Sequence, residues 1–145
     1  MNTESHSKFM AMALELSKKA LPTCQPNPPV GCVLVKDGEV IASGYTKEPG
    51  KHHAEASALQ IATGSLENVV AYVTLEPCSF KGRTPSCANA LIERKIKEVF
   101  VAIEDPDPRN SGKGIKMLRD AGIKVSENIL SDCVFQFLSP YLGKS

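Results

Sequence analysis

His53-Ala54-Glu55, Pro77-Cys78 and Cys87 are the residues of this chain best suited to chemistry. One imidazole and two thiolates suit zinc, and three protein ligands leave the fourth tetrahedral position open for water. Glu55, two residues beyond the histidine, supplies a carboxylate that need not bind metal and can carry protons instead. Its neutral acid can protonate a ring nitrogen, and its carboxylate can take a proton from the attacking water. Together these groups describe a hydrolytic deaminase site, in which water activated by zinc replaces an exocyclic amino group. A purely structural zinc site is the competing reading, and such a site normally recruits a fourth protein ligand. His52, Cys24, Cys32 and Cys133 are the residues available for that. Cys32 and Cys133 lie in apolar runs and read as core fillers, and His52 reads as a pocket wall or an exposed side chain.

The elements that must position these groups follow from periodicity. Ser5 to Leu21 reads as an amphipathic helix, with Phe9, Met12, Ala13, Leu16 and Ala20 at helical spacing. The proline-rich stretch from Pro22 to Pro29 ends it. Val30 to Val35 is an apolar run of strand length, Asp37-Gly38 supplies turn chemistry, and Val40 to Tyr45 returns as the second strand of a hairpin. Ala54 to Ala62 is a helix that ends near Gly64, with His53 at its start, where the dihedrals can turn both His53 and Glu55 toward one centre. Val69 to Val73 is a buried-type strand running into Glu76-Pro77-Cys78.

Thr84-Pro85-Ser86 reads as a helix start, with threonine capping and proline at the first helical position, and Cys87 to Lys95 follows as helix. A cysteine in that first turn has its thiolate favoured by unpaired backbone amides and the helix dipole. Val99 to Ile103 is a strand, Gly112 to Ala121 a helix, Ile123 to Val125 a short strand and Ser131 to Leu138 a terminal helix. Strands alternating with helices after the hairpin predict parallel pairs and a mixed five-stranded sheet covered on both faces.

The chain has 145 residues, the size of one domain, with 42% apolar and 23% charged residues, so residues 1–145 read as a single soluble domain. Lysine plus arginine number 17 against 16 aspartate plus glutamate, so no broad basic field points to nucleic acid or an anionic membrane. No stretch approaches the roughly 18 apolar residues that span a bilayer. The first residues lack the pattern of a signal peptide, and five cysteines, an odd number, fit reduced thiols in the cytoplasm.

These motifs resemble the deaminase domain of the bifunctional riboflavin-biosynthesis deaminase/reductase, within the cytidine deaminase-like superfamily. The resemblance runs through Asn27-Pro28-Pro29-Val30-Gly31-Cys32-Val33, Gly44-Tyr45 and His53-Ala54-Glu55. Its most specific part is Ala71-Tyr72-Val73-Thr74-Leu75-Glu76-Pro77-Cys78-Ser79 with Gly82-Arg83-Thr84-Pro85 and Cys87. Downstream, Asp105-Pro106-Asp107-Pro108 and Gly112-Lys113-Gly114 also match. Nucleic-acid and cytidine deaminases of the superfamily usually separate their cysteines by two residues, and the eight between Cys78 and Cys87 favour the riboflavin-type branch.

The resemblance implies a three-layer α/β/α sandwich, a zinc ion on His53, Cys78 and Cys87, Glu55 as the proton shuttle, and a phosphoribosylated diaminopyrimidinone as substrate. By the same resemblance Asn27 hydrogen-bonds the substrate, Arg83 contacts its polar or phosphorylated side, and Asp105 and Asp107 border the sugar pocket. Asp107 stands where an asparagine is usual, and Asp-Pro pairs also start turns regardless of function, just as Arg83 also reads as a solvated loop charge. Thr46 and Phe80 replace two histidines expected to line the pocket; the phenylalanine offers a stacking face without a hydrogen bond. The family assembles into dimers or larger oligomers. Val134, Phe135, Phe137 and Leu138 read either as such an interface or as the core face of the last helix. With the resemblance confined to the deaminase part, residues 1–145 are expected to hold no reductase domain.

The leading expectation is therefore a zinc hydrolase acting on a small aminopyrimidine-type heterocycle. A deaminase of transfer RNA or of free nucleobases and nucleosides, and a non-catalytic zinc-stabilised binding domain, are the alternatives.

Overall fold

Apolar strands that must be covered on both faces organise this molecule. The structure, a computed structural model, describes residues 3–79 and 86–142. Strands β1 (Gly31–Lys36) and β2 (Glu39–Tyr45) form an antiparallel hairpin with a bulge at Leu34/Val35. Its turn is Asp37-Gly38, with φ of 51° and 79°. Two successive positive φ values are what a two-residue type I′ hairpin requires. β1 then pairs antiparallel with β3 (Val69–Leu75), and β3 pairs parallel with β4 (Glu98–Ile103), which pairs parallel with β5 (Lys124–Glu127). The strand order is β2-β1-β3-β4-β5, the mixed five-stranded sheet expected from the sequence. All seven residues of β3 are buried, as a central strand between two helical layers should be.

Helices α1 (Thr3–Lys18) and α5 (Ser131–Leu138) lie on one face, α1 against β1 and β3 and α5 against β4. Helices α2 (Ala54–Ile61), α3 (Cys87–Glu93) and α4 (Lys113–Asp120) make the other layer, with α3 between its two neighbours. A short 3₁₀ turn, Ser139–Tyr141, continues from α5. Gly44 on β2 lets α2 settle closely: a Cβ there would stand 2.6 Å from the Ala54 carbonyl oxygen and 2.7 Å from the Ala58 nitrogen. Arg94, the residue that ends α3, donates to the carbonyls of Leu59, Ala62 and Gly64 at 2.9, 2.6 and 2.9 Å. It thereby satisfies carbonyls at the C-terminal end of α2 and ties two helices together.

Three details depart from the sequence reading. The first helix stops at Lys18, and the chain tightens into turns before the prolines. The third stops at Glu93, because Lys95 adopts φ +60°. In α5, Val134 and Leu138 are buried but Phe135 is 56% exposed, and Cys133 is exposed rather than a core filler. The two buried residues lie four apart, so a face one residue off from them turns to solvent.

Candidate active site

The carboxyl ends of parallel strands are where an open α/β sheet leaves a crevice. Cys78 follows the end of β3, and Asp105 and Asp107 follow the end of β4. His53 is the N-cap residue of α2, with extended dihedrals of −71° and 170°, as its placement at the helix start required. Cys87 is the first residue of α3. Three separate elements thus deliver one donor each to a common point. The ligand atoms of His53, Cys78 and Cys87 all lie within 4.8 Å of one another. His53 Nδ1 is 3.3 Å from Cys87 Sγ and 3.9 Å from Cys78 Sγ. Zinc bonds of about 2.3 Å to sulfur and 2.0–2.1 Å to nitrogen at tetrahedral angles place such atoms about 3.5 Å apart. The donor set fits that ion. Among the described residues no further histidine, cysteine or carboxylate joins the cluster, so the open corner of a catalytic site is kept and a four-ligand structural site is not formed.

The capping expectation needs correction. Ser86 caps α3, its side chain accepting from the Asn89 nitrogen at 3.1 Å, whereas Thr84 and Pro85 lie outside the described residues. The Cys87 N–H donates to Cys78 Sγ at 3.3 Å, so the backbone amide at the helix start favours charge on Cys78. The Cys87 thiol beside it, more than the His53 imidazole, holds the Cys78 thiol well below the ordinary thiol range. The same contact, together with burial, pushes Cys87 up. His53 is raised to about 8 by the Cys78 sulfur. Zinc ligation replaces these protons with a metal dication.

Glu55 is 4% exposed, one helical position beyond Ala54, and lines the cavity beside the ligands without belonging to them. Burial pushes its carboxyl up to about 7, with the nearby His53 opposing. A carboxyl near neutrality can both take and return a proton, which a fully ionised glutamate does poorly; a bound dication would draw it down again.

The cavity has a volume of about 210 Å³. Of the residues singled out in the sequence, Asn27, Thr46, His53, Glu55, Cys78, Asp105 and Asp107 line it. Phe80 and Arg83 lie outside the described residues. The Thr46 hydroxyl is engaged elsewhere, accepting from the Val30 nitrogen at 3.0 Å and closing the base of the hairpin. Asp105 accepts from the Asp107 nitrogen at 3.0 Å, and Asp107 pairs with Arg109 Nη2 at 2.6 Å, which holds the Asp107 carboxyl down at about 2.

Four residues around the site were given no role by the sequence reading. Buried Glu76, immediately before Pro77-Cys78, accepts from the nitrogens of Asp105, Gly112 and Ile115 at 3.0, 3.0 and 2.9 Å. Asn110, fully buried, accepts from the Ser79 nitrogen at 2.9 Å and donates to the Pro77 carbonyl at 3.2 Å. The loop after β4 is therefore bonded to the chain on both sides of Cys78. Gly114 completes the contact, because a Cβ there would collide with the Pro77 carbonyl oxygen. Glu76 carried a signal, a carboxylate continuing an apolar strand that must find partners. Arg109, two residues past Asp107, reaches the cavity wall.

With this geometry in place, residues 3–103 match the family described as the cytidine and deoxycytidylate deaminase zinc-binding region. The chain belongs to this zinc-binding deaminase family. It is 50% identical over 124 residues to the riboflavin biosynthesis protein RibD of Haemophilus influenzae, covering 86% of this chain and 33% of that protein. It is 42% identical over 123 residues to the diaminohydroxyphosphoribosylamino-pyrimidine deaminase of Buchnera aphidicola, covering 85% of this chain and 84% of that one. Among solved structures, Acinetobacter baumannii RibD superposes with a TM-score of 0.92 at 42% identity, over 97% of this chain and 40% of the other. The chain spans about a third of the length of the RibD relatives. The α/β architecture seen here is shared with the RibD structure, and the matched zinc-binding region contains His53, Cys78 and Cys87.

Proposed function

We propose that this zinc-binding deaminase domain hydrolyses an aminopyrimidine carrying a ribosyl phosphate, releasing ammonia. The observation that carries the reading is a three-ligand cluster with a separate buried carboxylate, Glu55, both opening on one cavity. Similarity to a diaminohydroxyphosphoribosylamino-pyrimidine deaminase supplies the substrate class.

When bound, zinc supplies Lewis acidity that makes water nucleophilic near neutral pH. The chain's own residues do the rest. His53, Cys78 and Cys87 would hold the ion. Glu55 takes a proton from the attacking water and delivers it to the ring nitrogen, then carries a second proton, from the added hydroxyl, to the amine that departs as ammonia. Asn27, which lines the cavity, orients the heterocycle by hydrogen bonding, and Asp105 and Asp107 border its sugar. Phe80 and Arg83 add a stacking face and a polar contact on this reading.

The test is a matched pair of proteins. Zinc-loaded wild type should release ammonia from the diaminopyrimidine ribosyl phosphate. Glu55→Gln should hold the same zinc content and fold while losing about 10²- to 10⁴-fold in turnover, the usual contribution of a positioned acid–base group. Undiminished turnover in Glu55→Gln, or no ammonia from the loaded wild type, defeats the proposal.

A further inference from the structure

A groove of about 850 Å³ lies between the turn after α1, the end of β2 and α2. That volume is within the roughly 300–1,000 Å³ of sites that enclose a small ligand. Thr46 lines both this groove and the metal cavity, so the two spaces are neighbours across one side chain. They differ in charge. Four carboxylates, Glu55, Glu76, Asp105 and Asp107, line the cavity beside Arg109. Lys19, Lys47 and Lys51 line the groove against the one carboxylate of Glu48, a formal excess of two positive charges.

The chain gathers these cations without neutralising them. Lys47 and Lys51 share one loop, which is closed by the Lys47 N–H donating to the His52 carbonyl and the Lys51 N–H donating to the Glu48 carbonyl, both at 3.0 Å. Lys47 Nζ stands 3.7 Å from the centroid of the Tyr45 ring, a contact that orders the ammonium and keeps its charge. Among the described residues none of the three lysines forms an ion pair. A second observation comes from α2. Ser57 lines the groove at 7% exposure, and its Oγ is the one buried side-chain polar atom of the described residues without a hydrogen-bond partner. Buried hydroxyls are almost always paired, and an anion's oxygen in the groove would accept from this one.

We propose that this groove is a second ligand site, for a small molecule carrying a phosphate monoester. The two excess positive charges match the nearly dianionic group, and lysine ammoniums meet phosphate oxygens as point charges. Ser57 donates the neutral hydrogen bond, and Leu16, Tyr45 and Ile61 offer apolar surface to the organic body. The inference does not depend on the deaminase reading, whose substrate occupies the metal cavity on the other side of Thr46.

The probes are inorganic phosphate, adenosine 5′-monophosphate and adenosine, titrated into the zinc-loaded chain and followed by NMR at its backbone amides. Residues 46–52 and Ser57 should shift with both phosphate probes and saturate with a Kd of about 1 mM or tighter. Adenosine should leave them unmoved. Replacing both loop lysines, Lys47→Gln with Lys51→Gln, should weaken nucleotide binding there about 10- to 100-fold, and Lys47→Arg with Lys51→Arg should restore most of it. Ser57→Ala should weaken binding about 3- to 10-fold while the melting temperature stays level or rises, because the hydroxyl has no bond in the fold to lose. The proposal is overturned if neither phosphate probe saturates these amides, or if the shifts are confined to the surroundings of Cys78 and Asp105. Undiminished affinity in the double glutamine variant overturns it as well. So does a self-associated chain in which a second copy covers the groove and shuts the probes out.

Discussion

At the scale of single residues, the cluster of candidate metal ligands depends on groups outside it. Asn110 exchanges hydrogen bonds with Ser79 and Pro77, the neighbours of the ligand Cys78, and its Nδ2 also reaches Asp105 Oδ2 at 3.3 Å. Asn110→Ala should cost about 1–3 kcal/mol, because the Ser79 N–H and Pro77 carbonyl lose their partner in a buried setting. If Asn110 positions Cys78 as well as supporting the fold, the variant should also surrender zinc faster to a competing chelator. A lowered melting point with an unchanged chelator rate would reduce it to a packing role. The metal-ligand cluster was legible in the sequence, since one histidine and two cysteines carry their chemistry in their type. Asn110 was not. Asparagine within Asp-Pro-Arg-Asn-Ser-Gly reads as turn chemistry, and only the fold reveals that it faces inward.

At the scale of elements, periodicity located the strands and α-helices of the described residues to within a few residues, because each has one apolar face or is apolar throughout. It said less about how elements dock. α1 meets the sheet through His6, whose Nδ1 lies 2.6 Å from the Tyr72 hydroxyl and whose ring stacks on Phe100 at 4.1 Å. No spacing rule pairs residues 66 apart. Burial, assisted by Glu98, raises the Tyr72 phenol to about 12, against about 10 in an unfolded chain. The fold therefore holds that proton more tightly, and its contribution is present below about pH 10 and lost as pH rises toward 12. Tyr72→Phe should cost about 1 kcal/mol at neutral pH through the lost His6 contact. It should also flatten the fall in stability on the alkaline side, since phenylalanine cannot ionise. Urea midpoints measured from about pH 8 to about pH 11 check both. An alkaline slope identical to wild type would show that Tyr72 does not titrate in this range.

At the scale of the whole molecule, the fold class followed from strand order and alternation, but the site's cooperation with the fold did not. Metal ligation joins the start of α2, the end of β3 and the start of α3, three pieces brought together only by tertiary structure. Two of them are already fixed by other means: α2 by its close seat on Gly44 and by Arg94, and the Cys78 segment by Glu76 and Asn110. A continuous core across β1, β3 and β4 is built from apolar side chains that do not include His53, Cys78 or Cys87. Zinc should therefore stabilise a protein that folds anyway, unlike a small domain whose folding energy is its metal. With free zinc about 100-fold above Kd, linkage adds about 2.7 kcal/mol, or roughly 5–10 °C in a domain of this size. Chelation should lower the melting temperature by that order while leaving one cooperative transition. Hydrogen exchange should loosen first at the start of α2 and α3 and around Cys78, with β3 and β4 unchanged. If stripping zinc melts the sheet, the ion is structural in the strong sense; if it moves neither the melting temperature nor those amides, the three donors do not share a metal.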